Sequence, residues 1–234
     1  IHINKHKRSS GLAIIPAGLP ETVSIPVRQH IGTPAKILVK KGDKVKVGTL
    51  LADADGVVSA DIHSSVSGEV IKIDDIINDS GYPSTMIVIK VEGDDYEPSI
   101  DRSSDIIRDI KDDKESIIKK IQASGIVGMG GAGFPTPIKV TLPKGKKAEY
   151  LILNGIECEA YLTADDRLMV EHAEEIIIGA KILNKALGIQ NAIIAIDENK
   201  PEAIEKMQSL CRKYVGVNVA VCESKYPQGA EKQL

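Results

Sequence analysis

The chain has 234 residues, 42% of them hydrophobic and only 3% aromatic, with a formal net charge of -3. That length suffices for one large or two small domains with aliphatic cores, and the scattered, nearly balanced charge argues against nucleic acid as the main partner. Three well-separated cysteines, Cys158, Cys211 and Cys222, exclude a disulfide framework and supply too few thiolates for an iron–sulfur cluster.

No stretch approaches the roughly 20 apolar residues of a membrane helix, and no secretory signal is present. The chain opens at Ile1 without a methionine and stops at Leu234 inside what reads as an ordered motif, so it is expected to be a fragment. Residues 1–24 read as a polar arm. From Ile25 the pattern becomes short β segments divided by turns. "AKILVKKGDKVKVGTLLADADG" predicts a strand, a Gly42-Asp43 turn and a second strand. "VVSADIHSSVSGEVIKI" predicts two more around Ser67-Gly68, and "STMIVIKVEG" another. Short, regularly spaced strands suggest a small barrel or sandwich over 25–100.

Residues 94–104 read as a linker, which puts the domain boundary near residue 100. The isoleucines at 106, 107, 110, 117, 118 and 121 are spaced for a helix that Gly125 would end. "EYLILN" is an apolar run suited to a buried strand. "TADDRLMVEHAEEIIIGAKILNKALG" predicts one long helix, with Thr163 as its N-cap and Gly188 at its end. "NAIIAID", "PEAIEKMQSLCRKYV" and "VNVAVCE" then predict strand, helix and strand, so that 101–234 reads as an α/β domain with a parallel sheet.

Two segments carry the chemistry. "GIVGMGGAGFPTPIKV" places four glycines within six residues, and Gly128, Gly130 and Gly133 spell G-x-G-x-x-G. A dinucleotide fingerprint needs a strand before it and a helix opening inside it. Here the preceding periodicity is helical, and Pro135 and Pro137 are expected to forbid a regular helix after Gly133. Such a loop can still present backbone N–H groups to an anion or a flat ring, with Lys139 in reach of a phosphate. The plainer alternative is a tight turn packed against its neighbour. The second segment, "LILNGIECEAYLTADDRLM", follows a predicted strand, where ligand crevices of parallel sheets lie. Asn154, Glu157, Cys158 and Glu159 fall there. Asn can bond both donors and acceptors of a ring such as isoalloxazine, and the acids can accept from ribityl or ribose hydroxyls. Alternatively Glu157 and Glu159 are solvated loop charges and Cys158 a small buried residue.

The front segment, with Gly42-Asp43-Lys44-Val45-Lys46-Val47-Gly48 and Ser67-Gly68-Glu69-Val70, resembles the biotinyl/lipoyl module. At the hairpin tip it has Asp55-Gly56-Val57-Val58, and no lysine lies between Lys46 and Lys72, so a structural or docking module is expected rather than a carrier. "GMGGAGFPTPIK" and "NGIECEAYLTADDRLM", with "IHINKHK", "QHIGTPAKILVKKGDKV" and the closing "YPQGAEKQL", resemble the C subunit of the Rnf electron-transport complex. More distantly they resemble the flavin-bearing NADH-oxidising subunit of respiratory complex I.

That resemblance implies noncovalent FMN in a crevice of the α/β domain with NADH against the flavin. Gly128, Gly130, Gly131, Gly133 and Lys139 would face the flavin phosphate or the NADH, and Phe134 the dinucleotide. Asn154 and Glu157, with Cys158 beside them, would hold the flavin, while Glu159 and Glu231 would border the nicotinamide. It implies no protein nucleophile, general acid or metal ligand here. The 4Fe-4S clusters belong to a region C-terminal to this chain. The partners implied are other membrane and cytoplasmic Rnf subunits, NADH and, indirectly, ferredoxin, at the cytoplasmic face of the membrane. Compared with the complex I motif N-A-D-E-S-E-P, an acid is replaced by Ile156; in the closing motif Ala230 stands where G-E-E has a carboxylate. Two other functions stay open: a non-catalytic docking subunit with a vestigial flavin site, and an ordinary NAD-dependent dehydrogenase, against which the prolines argue.

Overall fold

A computed structural model describes residues 6–78, 80–130 and 133–234. The chain divides into two compact units, each assembled from separate segments.

The first unit comprises Ala17–Asp105 and Glu115–Thr141. Strands β1 (Thr22–Pro26), β2 (Lys36–Ile37), β3 (Lys44–Val45), β4 (Leu50–Asp53), β5 (Ile62–His63), β6 (Ser67–Ile77) and β7 (Pro83–Gly93) form two antiparallel sheets. Their orders are β1-β7-β6-β3 and β2-β4-β5. Their inward residues, among them Ile25, Val45, Leu51, Ile62, Val70, Ile87 and Ile89, make one aliphatic core. A core without aromatics is what the composition requires. β1 begins at Thr22, inside the segment expected to be an arm. Ser67-Gly68 is not a turn between strands: both residues lie within β6, at a register shift against β7. The turn falls at 64–66, where Ser64 Oγ donates to the Val66 carbonyl at 2.7 Å. A Cβ on Gly68 would collide with the Lys90 carbonyl oxygen, so this glycine serves close strand approach, not reversal.

This unit also carries α1 (Lys114–Ala123) and α2 (Thr136–Val140). The helix expected from residue 105 starts only at Lys114, with Ile117 and Ile121 as its buried residues. Gly125 ends it in the left-handed region at φ 62°. α2 corrects the expectation that the prolines forbid helix. Pro135 is its N-cap and Pro137 lies in its first turn, positions whose N–H groups have no intrahelical partner to lose.

The second unit comprises the described part of Ile1–Pro16, Ile106–Lys114 and Leu142–Leu234. Strands β8 (Tyr150–Gly155), β9 (Asn191–Asp197) and β10 (Val217–Cys222) form a parallel sheet of order β10-β9-β8. Helices α3 (Ala164–Glu171), α4 (Ala173–Leu187) and α5 (Pro201–Cys211) connect them. Ile177, Ala180, Ile194, Ile196, Ala203 and Met207 lie at the centre of the core. The single long helix expected over 164–187 breaks at His172 (φ -124°, ψ 36°), whose Nδ1 lies 3.0 Å from Glu175 Oε1. Neither Pro nor Gly announces that break in the sequence. Gly188 closes α4 in the left-handed region, as its letter predicts.

Residues 106–113 stay irregular because α4 satisfies them with side chains. Arg108 donates from Nε and Nη2 to the two Glu174 carboxylate oxygens at 2.8 and 2.9 Å, and Lys185 Nζ donates to the Ile110 carbonyl. Tertiary bonds here outweigh a weak local helical preference.

Candidate functional site

The glycine loop of the first unit closes on itself. Gly128 N–H donates to the Phe134 carbonyl at 2.8 Å, and Thr136 N–H to the Ile126 carbonyl at 3.0 Å. Gly130 and Gly133 take φ of 84° and 60°. The glycines divide by role. A Cβ on Gly133 would sit 2.9 Å from the Gln29 carbonyl oxygen, so Gly133 lets the loop pack on the β module. A Cβ on Gly128 would meet Lys139 Nζ; the ammonium reaches back from the last turn of α2 into the mouth of the loop. Phe134 is half-buried and Lys139 exposed. Gly131 lies outside the described residues. Beside Gly133 is a cavity of about 710 Å³ that Gln29, His30, Tyr82 and Thr85 help to line. Of the expected site residues only Gly133 borders it.

In the second unit, β8 delivers the other motif at its carboxyl end. Asn154 Nδ2 donates to the Gly229 carbonyl at 2.7 Å, and its Oδ1 accepts from Ile156 N–H at 3.3 Å. The closing motif is thereby brought onto this loop: a Cβ on Gly229 would lie 3.2 Å from Cys158 Sγ and 3.3 Å from Ile156 Cβ. Ile156, which replaces an acid, is fully buried. Cys158 is half-buried, and Glu159 and Glu231 are exposed.

Glu157 is not a solvated loop charge. It is the one described non-glycine residue with positive φ, at 49°, and its side chain is 4% exposed. Its Oε1 accepts from Asp165 N–H at 2.8 Å. It thus does the capping at α3 that Thr163 was expected to do; the Thr163 hydroxyl bonds Ser9 Oγ instead, at 2.6 Å. The other oxygen, Oε2, has no hydrogen-bond partner among the described residues, and lies 3.7 Å from Lys200 Nζ and 3.9 Å from Lys7 Nζ. Burial, and then the Glu157 charge, push the Asp165 carboxyl up; burial also raises Asp166.

Lys7 and Lys200 were missed. Lys200, at the N-cap of α5, donates to the Ile156 carbonyl at 3.0 Å and the Asn199 side chain at 3.2 Å. The rule that flagged the residues after β8 applies equally after β9 and would have found it. Lys7 carries no such signal: it comes from the amino-terminal segment and donates to the carbonyls of Glu157, Glu159 and Leu162.

A family model described as the RnfC barrel sandwich hybrid domain matches residues 1–94, and one described as the Nuo51 FMN-binding domain matches 121–234. Along nearly its whole length the chain is similar to the RnfC family. It is 40% identical over 231 residues to the C subunit of the Na(+)-translocating ferredoxin:NAD(+) oxidoreductase complex of Acetobacterium woodii, covering 97% of this chain and 52% of that protein. It is 43% identical over 225 residues to the C subunit of the proton-translocating ferredoxin:NAD(+) oxidoreductase complex of Clostridium ljungdahlii, covering 93% and 47%. The C subunit of the ion-translocating oxidoreductase complex of Rhodobacter capsulatus is 41% identical over 239 residues, covering 100% and 45%. The chain thus spans about half the length of the curated relatives it matches.

Taken separately, each motif offers groups of a kind that binds a flavin: in one unit a buried carboxylate with an unmet oxygen at a strand's carboxyl end, in the other a glycine loop with an ammonium at its mouth. Asn154 fits less simply, since its amide is already spent on backbone groups of this chain.

Proposed function

We propose that this chain is part of an electron-transfer subunit that binds FMN and exchanges electrons between NAD(H) and an iron–sulfur chain, within a ferredoxin:NAD oxidoreductase complex that moves ions across a membrane. The observation that carries the reading is Glu157, a buried carboxylate just beyond β8 whose Oε2 has no hydrogen-bond donor among the described residues. An unmet buried acceptor is costly, and a ribityl or ribose hydroxyl would satisfy it. FMN supplies, when bound, the exchange of a two-electron hydride for single electrons; the protein orients and tunes it.

In this reading Gly130 and Lys139 hold a phosphate, Gly128 shapes the loop through its N–H bond to the Phe134 carbonyl, and Phe134 lies along the dinucleotide. Glu157 accepts from the ligand, and Asn154 orients the loop through Gly229. The exposed carboxylates of Glu159 and Glu231 set the local potential. Gly133 serves packing, and Cys158 lines the loop. No side chain acts as nucleophile or general acid. Residues 25–100 form the docking module, 101–234 the cofactor-binding part. The 4Fe-4S clusters lie in the further length that the relatives possess, and the chain sits peripherally on the cytoplasmic face. Among the described residues no helix is long and apolar enough to cross a membrane.

A docking role with a vestigial flavin site is the second reading. It is favoured by the burial of Ile156 and by the internal commitment of the Asn154 amide. FMN titration of the purified chain decides. Quenched flavin fluorescence with micromolar affinity, followed by anaerobic bleaching with NADH, is expected. No binding by a folded sample would leave the docking role standing.

A further inference from the structure

Lys7 is placed as a clamp on the loop that follows β8. Its Nζ donates to the carbonyls of Glu157 at 3.0 Å, Glu159 at 2.8 Å and Leu162, and lies 3.9 Å from Glu157 Oε2. An ammonium carries three N–H donors, and three converging carbonyls of one short loop can take all of them. The neighbouring residues add a strap. His6 N–H donates to the Ala160 carbonyl at 2.9 Å, and the His6 ring stacks on Tyr161 with centroids 5.7 Å apart. The Ser9 hydroxyl bonds Thr163, and Ile14 N–H donates to the Glu171 carboxylate at 2.9 Å. The loop has a conformation to hold, because Glu157 sits at φ 49°, a region an L-residue keeps only when its surroundings impose it.

We propose that Lys7 is a positioning residue: by tying the carbonyls of Glu157, Glu159 and Leu162 it holds the Glu157 carboxylate inward and the Glu159 carboxylate outward, and so sets the loop's affinity for its flavin ligand. The inference rests on the flavin reading for its ligand, and on the structure alone for the clamp. Lys200 holds the other end of the loop through the Ile156 carbonyl. Losing Lys7 therefore frees residues 157–162 without unfolding the sheet.

The test compares the whole chain with Lys7→Met, which keeps the stem and loses the donors, and with Lys7→Arg, which keeps the charge but spreads its donors in a planar fork. Hydrogen–deuterium exchange of the unliganded proteins is read at 157–162 and at β9. Both variants should speed loop exchange about tenfold and leave β9 unchanged. FMN affinity should fall about tenfold, and the visible circular dichroism of bound flavin should change while the far-ultraviolet spectrum does not. Unchanged loop exchange in Lys7→Met, wild-type exchange in Lys7→Arg, or full flavin affinity alongside a loosened loop would each overturn the proposal. If the unsubstituted chain binds no FMN, the flavin reading fails, and the exchange data still decide whether Lys7 holds the loop.

Discussion

Glu157→Gln tests the charge cluster at the end of β8. Gln keeps the volume and the oxygen that accepts from Asp165 N–H, so neither a cavity nor a lost cap enters; the negative charge is removed and the oxygen that faced Lys7 and Lys200 becomes an N–H donor. The side chains of Glu157 and Lys200 are 4% and 3% exposed, and Glu157 Oε2 lies 3.7 Å from Lys200 and 3.9 Å from Lys7. At such separations each attraction is about 4 kcal/mol at an effective dielectric of about 20. Stranding one charge of a buried pair costs about 3–5 kcal/mol. Lys7 keeps its carbonyls, however, and Lys200 still feels Asp165 and Asp166, which places the expected cost near 2–3 kcal/mol, at or below the low end of that range. That is a fall of roughly 4–12 °C in the melting temperature of the chain. Urea unfolding at neutral pH measures it, in a cycle with Lys200→Met. The double variant should be more stable than the sum of the single effects by at least about 1 kcal/mol. A coupling within about 0.5 kcal/mol of zero would show that the pair carries no energy, and the reasoning about the cluster would fall.

Gly128→Ala places a methyl against Lys139 Nζ, the mobile end of a long side chain, at a residue outside the left-handed region. Stability should change by less than about 0.5 kcal/mol, while FMN affinity drops about tenfold, the loss of one charge-assisted bond; unchanged affinity in a titration would remove Lys139 from the phosphate site. In the α/β unit, Arg108 and then Tyr214 hold the Glu174 carboxyl down to about 2, from an ordinary value of 4.5. A depressed folded-state value means stabilisation present above the ordinary value and lost on acidification through the folded one. The advantage of the unsubstituted chain over Glu174→Gln in thermal melts should therefore be constant above about pH 5, shrink below it and vanish near pH 2. An advantage that persists or grows on acidification would contradict the assignment.

Much of the fold was legible because the forces that set it are local. Aliphatic periodicity fixed the order of strands and helices, Gly125 and Gly188 ended helices with left-handed backbone, and the scarcity of aromatics dictated the aliphatic character of both cores. The paired motifs carried the family resemblance, since their residues are close in sequence. What the letters did not carry depended on partners far along the chain. Residues 106–113 lost their helix to Glu174 and Lys185, Gly68 served a neighbouring strand instead of a turn, and His172 broke a run that its neighbours would have continued. Glu157 became a buried, capping carboxylate only because Lys200 lies 44 residues beyond Ile156, to whose carbonyl it donates, and Lys7 lies 150 residues before Glu157 itself. A carboxylate can leave water only where cations and N–H groups converge on it, and that convergence is a property of the folded chain.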